Sequence, residues 1–151
     1  MKKIFLILLF SLFAGCSDEI LNQSENLSIA PVMEIQISKD NLDALRVNRT
    51  NDAEYIVNVF YKGQKKKAEL EASGAGSRYN PRWSYKIELE NGNTIEGLSA
   101  FNLSAQIYDP TMLNTAIAIK YYEQIGLPVF YNSHVFLKIN NEDEALLVLL
   151  E

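Results

Sequence analysis

The stretch Ser73-Gly74-Ala75-Gly76-Ser77-Arg78 is the part of this chain best suited to hold an anion. Glycine turns bring backbone N–H groups to a common point, and such nests attract phosphate or carboxylate oxygens. Gly74, Gly76 and Ser77 offer that geometry, and the planar Arg78 guanidinium suits bidentate contact with phosphate. The same residues also read as a plain turn, with Arg78 paired to Glu88 or Glu90. Lys86, further along, reads as a strand lysine facing solvent. His134 is the single histidine, so no metal cluster or Ser-His-Asp triad can be assembled from several histidines. Glu142-Asp143-Glu144 is an acidic turn that lacks the spaced ligands of a Ca²⁺ loop. No residue stands out as catalytic or metal-ligating.

The elements around these residues are legible from periodicity. Met33, Ile35 and Ile37 alternate with polar residues as in a half-buried strand. Ser38 to Arg46 reads as a short helix with Leu42 and Leu45 on one side. Glu54 to Tyr61 reads as a strand, turned at Lys62-Gly63 and returning as Gln64 to Ser73. Lys65-Lys66-Lys67 reads as a solvated edge. Trp83, Tyr85, Ile87 and Leu89 alternate with Ser84, Lys86, Glu88 and Glu90, and Asn91-Gly92 turns the chain. Phe101 to Ala105 reads as a further strand. Asp109-Pro110 opens the principal helix, Asp109 as cap and Pro110 in the first turn. Met112, Ala116, Ile119 and Tyr122 form its apolar stripe, and Gly126 with Pro128 ends it. Val135, Leu137 and Ile139 alternate as a strand, and Leu146 to Leu150 reads as a strand buried on both faces. Strands, one helix, then two strands predict an α+β fold: a mainly antiparallel sheet with one principal helix laid on it.

At 151 residues the chain allows one domain. Its net charge of −5 gives no basic footprint for nucleic acid. Lys2 and Lys3, the apolar run Ile4 to Phe13 and the small pair Ala14-Gly15 have the pattern of a secretory signal, and the run is short for a bilayer span. Leu12-Phe13-Ala14-Gly15-Cys16 resembles a bacterial lipobox, and Cys16 is the one cysteine, so no intramolecular disulfide can form. Ser17-Asp18-Glu19 is similar to the acidic tag that directs some Bacteroidetes lipoproteins to the cell surface. These readings predict a signal peptide over 1–15, a polar tether over 16–31 after a lipidated Cys16, and a domain over 32–151. The predicted setting is a secreted chain held by lipid at the cell envelope, on its outer surface if the acidic tag operates.

The second half carries a family resemblance. Gly74-Ala75-Gly76-Ser77-Arg78, then Pro81 and Ser84-Tyr85-Lys86-Ile87, resembles the G-x-S-S-R…P-K-K-S-Y-K-I signature of the CotH kinase family. Asp109-Pro110-Thr111-Met112-Leu113 is similar to its D-P-S-x-L helix start, and Gly126-Leu127-Pro128 to its G-L-P helix end. Asn140 with Ala145-Leu146-Leu147-Val148-Leu149-Leu150-Glu151 resembles N-G-x-Y-x-G-L-Y-L-L-V-E. The four ordered blocks cover about Asp40 to Glu151. Arg82-Trp83, Asn114, Asn141, Ala145 and Leu147 depart from the family pattern.

The resemblance implies a fold like the N-terminal lobe of an atypical protein kinase, with ATP-dependent phosphorylation of a protein substrate as the ancestral activity. It makes Lys86 the strand lysine that meets the phosphates. Gly74, Gly76, Ser77 and Arg78 would line the nucleotide with it. Glu123, the one acid inside the helix, would be the lysine's ion-pair candidate, and Glu151 would lie where the hinge begins. ATP with Mg²⁺ would be used only by a longer protein that supplies the C-terminal lobe, so this chain alone is expected to lack turnover. Its partners would then be that lobe or a protein substrate, and Leu146 to Leu150 would expose apolar surface where the lobe docks. The alternative is a non-catalytic binding or structural module of the cell envelope.

Overall fold

The structure, a computed structural model, describes residues 30–47 and 52–151, apart from the Glu144 side chain. The segments read from the sequence as a signal peptide, a lipidated Cys16, an acidic tag and a tether lie outside the described residues, apart from the tether's last two residues. In chain order the elements are β1 (Val32–Gln36), α1 (Lys39–Val47), β2 (Tyr55–Tyr61), β3 (Gln64–Ser73), β4 (Ser84–Leu89), β5 (Ala100–Ser104), α2 (Asn114–Gln124), β6 (Asn132–Ile139) and β7 (Glu142–Leu150).

The strands close on themselves as β1-β2-β3-β4-β5-β7-β6. Six of the seven pairings are antiparallel; the seventh, β1 with β6, is parallel, with Val32 opposite Phe136 and Ile35 opposite Ile139. Period-two alternation sends one set of side chains inward on every strand. Met33, Ile35, Val59, Leu70, Ile87, Leu103, Leu137, Leu147 and Leu149 are fully buried there. Each such side chain contributes about 1.5–3 kcal/mol by leaving water. Leu42 and Leu45 of α1 join the same cluster.

The turns follow from residues that accept positive φ. Lys62-Gly63 (φ 47° and 76°) joins β2 to β3, and Asn140-Asn141 (φ 51° and 69°) joins β6 to β7, as tight hairpins of this hand require. Asn140 does more than turn the chain. Its Oδ1 accepts from the Ile37 N–H and its Nδ2 donates to the Ile37 carbonyl, both at 2.9 Å.

The expected α+β fold, a mainly antiparallel sheet with one principal helix resembling a kinase N-terminal lobe, is overturned: the described residues form a closed seven-strand barrel with two short helices. Alternation records that one face is buried, but not whether a helix or the rest of a barrel covers it. The helix begins at Asn114 rather than beside Pro110, and none of its residues is buried. The apolar surface expected at Leu146 to Leu150 is also absent: Leu147, Val148 and Leu149 are fully buried, on a strand paired on both sides. Lys65, Lys66 and Lys67 pair with β2 alone, because β4 pairing starts at Ala68.

Asn140→Ala removes two hydrogen bonds and places a Cβ-bearing residue without local polar help at positive φ, so it should cost about 2–3 kcal/mol in urea unfolding. Asn140→Gly, which keeps the backbone freedom, should cost about 1–2 kcal/mol. Equal midpoints for both variants and the parent would show that this clamp holds nothing.

Candidate functional site

The anion-seeking residues gather on the outer face of β3 and β4, at the end of the barrel that holds α1. Tyr85, Ile87 and Leu89 point inward, so Ser84, Lys86 and Glu88 point out. Pairing places Glu71 opposite Lys86 and Ser73 opposite Ser84, and Lys86 opposite Asn102 on β5.

The turn between the strands closes on itself. Gly74 has φ 80°, and a Cβ there would meet Ser77 Oγ at 2.6 Å, so both the dihedral and the space demand glycine. Ser77 is buried and donates to the Ser73 carbonyl at 2.8 Å. The Gly76 carbonyl accepts from Asn80 Nδ2 at 2.9 Å. Residues 77–79 form a single 3₁₀ turn that carries Arg78 back over β3. Arg78, 14% exposed, donates to Asp52 at 2.7 Å and lies 3.9 Å from Glu71.

Glu71 is shared. Its other oxygen lies 4.0 Å from Lys86 Nζ, and Glu88 lies 3.8 Å from the same amine. The turn cation and the strand cation therefore meet at one carboxylate. Glu54, Glu69, Glu71 and Glu88 wall the narrow depression around Lys86. The open space is one step along β4: a cleft of about 390 Å³ lined by Gly76, Ser77, Ser84, Ser104, Gln106, Ile107, Tyr108, Asp109 and Asn114. Ser84 Oγ accepts from the Ala105 N–H at 2.9 Å, which ties the far wall to β4.

Asp109 anchors that wall. It accepts from the N–H and Oγ1 of Thr111 (3.0 and 2.5 Å) and, across the turn, from the Asn114 N–H at 2.8 Å. It caps α2 from five residues away, because Met112 takes φ 60° between them. These bonds, Thr111's first and Asn114's next, hold its carboxyl below the usual aspartate range.

Two predicted residues stand apart. Glu123 bonds Lys120 at 2.7 Å along α2, while Lys86 is served by Glu71 and Glu88. Glu151 lies at the opposite end of the barrel, where its carboxylate accepts from the Tyr131 N–H at 3.3 Å. That end has its own polar cleft, in which the hydrogen bond from Lys62 (2.5 Å) is the chief cause holding the Glu96 carboxyl low. Glu71 and Asp52 are the site residues missed in the sequence. Glu71 becomes visible only once β3 is registered against β4 through Ser73 and Ser84.

The site fits phosphate in part. A half-exposed amine, a guanidinium and serine hydroxyls line one surface, and Glu71 would have to yield its place. It does not fit a metal: among the described residues no group of three or more His, Cys, Asp or Glu could hold an ion.

Residues 70–151 match the family described as CotH kinase protein, which is more than half of the chain, and the chain belongs to that family. The match takes in the last four residues of β3 and everything after it, the stretch Gly74–Asp109 included. No curated protein matches the chain.

Because the Asp109 carboxyl is held low in the folded state, its contribution is complete above the ordinary aspartate range, about pH 4. It is lost as pH falls through the lower native value. Asp109→Asn should lower Tm at pH 7 and flatten the fall in Tm below about pH 4. A variant whose Tm tracks the parent at every pH would remove Asp109 from this role.

Proposed function

We propose that this chain is a cell-envelope CotH-family protein whose β3–β4 outer face receives the phosphate end of a nucleotide. The ancestral activity on this reading is ATP-dependent phosphorylation of a protein substrate, and this chain by itself has no turnover. Phosphoryl transfer needs carboxylates that hold Mg²⁺ and orient the attacking hydroxyl, and the glutamates nearest Lys86 are instead its own ion-pair partners. The lipid on Cys16 would hold the domain at the membrane, on the outer surface if the acidic tag operates.

One observation carries the reading. Lys86 and Arg78 converge on a single carboxylate beside the Gly74–Ser77 turn, whose Gly76 and Ser77 line the open cleft. Contacts of 3.8–4.0 Å between partly exposed groups are weak. A phosphate offering several charge-assisted hydrogen bonds would replace them with stronger ones. A second reading, a non-catalytic binding module, draws support from the four glutamates around Lys86, which repel an anion unless Glu71 moves.

Titration with a fluorescent ATP analogue distinguishes the two readings. Lys86→Met should weaken binding about tenfold, the value of one charge-assisted contact. Glu71→Gln should tighten it by removing the negative charge that stands between Arg78 and Lys86. Binding that ignores both substitutions, or no binding at all, leaves the module reading. The envelope half is tested separately: a clickable fatty acid fed to cells should label the chain and fail to label Cys16→Ser.

A further inference from the structure

Exposed apolar side chains gather on α2 and the segment after it. No residue of α2 is buried. Ile117, Tyr121, Ile125, Leu127 and Phe130 are each half exposed or more, with Phe130 at 67%. A groove of about 570 Å³ runs between the Ala116–Lys120 side of the helix and Val129–Asn132. The two charges on this side, Lys120 and Glu123, neutralise each other at 2.7 Å. The face offers no charge pattern for a partner of opposite sign to read, while tyrosine and phenylalanine rings suit the depth of lipid headgroups.

The described chain begins beside this face. The Pro31 carbonyl accepts from the Phe136 N–H at 2.9 Å, and β6 is the strand that α2 touches. Val32 and Phe136 are strand partners there, both more than 40% exposed. The roughly 15 residues from Cys16 to Pro31 can span at most about 50 Å. An anchor on Cys16 would keep this face within that distance of the bilayer, where weak contacts suffice.

We infer that the face of α2 and residues 125–130 rests on the lipid surface to which the chain is anchored, so that the barrel has a fixed orientation at the membrane. The inference rests on the lipid-anchor reading above, and its test does not need the cell to attach the lipid. A chain beginning at Cys16 has one thiol, which a maleimide phospholipid in phosphatidylcholine vesicles will couple. Amide exchange over residues 121–131 should slow at least about fivefold compared with the same chain carrying a soluble maleimide. The slowing should persist in high salt, since apolar burial is not screened. Ile117→Glu with Phe130→Glu should abolish it without lowering Tm, because both side chains are exposed. Unchanged exchange on vesicles overturns the inference. So does protection that appears without vesicles as protein concentration rises, which would assign the face to a second copy. Failure of fatty-acid labelling in cells would sink the anchoring while leaving the vesicle result standing.

Discussion

The parallel seam between β1 and β6 is the constraint on which the rest of the structure depends. It joins residues about a hundred positions apart in the chain. Closing so long a loop costs only slightly more than closing a shorter one, because the entropy grows with the logarithm of length. In return the seam removes both open edges of the sheet and places Met33 and Ile35 against the inward side chains of the other strands. Asn140 sits at one end of the seam and holds Ile37, the residue just after β1; its own N–H donates to Ile35. The family match starts at Leu70, yet β1 and β2 supply two of the seven strands. Without them β3 and β6 would each present an unpaired edge, so residues 70–151 are a region of likeness rather than a folding unit.

The same closure sets the electrostatics of the candidate site. Barrel register, rather than any local motif, puts Glu71 opposite Lys86. Arg78 reaches that carboxylate because the Gly74 turn and the 3₁₀ turn after it reverse the chain over β3. Arg78 meets Asp52 at hydrogen-bond length, and Asp52 is largely exposed. The approach of Arg78 to Glu71 and the pairings of Lys86 with Glu71 and Glu88 are long, partly solvated contacts of small worth. A carboxylate held this loosely can give way to a ligand with more oxygens at little expense. The surrounding glutamates still raise the energy of any anion that does not displace Glu71.

Local signals in the sequence were faithful where a strand or turn is decided locally. Alternation placed β1, β4 and β6, and Lys62-Gly63 and Asn140-Asn141 turn as their residue types require. Alternation does not say what covers each strand's apolar face, and so it suggests an α+β sheet under one principal helix where a barrel closes instead. The start of α2 was misjudged for a different reason. Asp109-Pro110 has the composition of a cap and first turn, but the left-handed Met112 intervenes and the cap acts at a distance. Glu71 was invisible because its role depends on pairing β3 with β4, which alternation does not fix. Glu123 matches Lys86 only through a helix-to-strand relation borrowed from kinases, and the structure gives it Lys120 instead.

The least supported element packs against the barrel yet is well formed, and the cause is local. An isolated helix of α2's length is marginal in water, and α2 buries none of its residues. Its ends make up the difference. Asp109 satisfies the Asn114 N–H at the start. At the finish Gly126, at φ 79°, donates to Glu123 while Leu127 donates to Tyr122, the paired bonds of a glycine-closed helix terminus. The His134 ring, 2.7 Å from the Met112 carbonyl, ties the approach to the helix onto β6. A helix fixed by its ends can leave its middle uncommitted to the core. That is why its apolar side chains stay in solvent, and why the barrel loses nothing by presenting them.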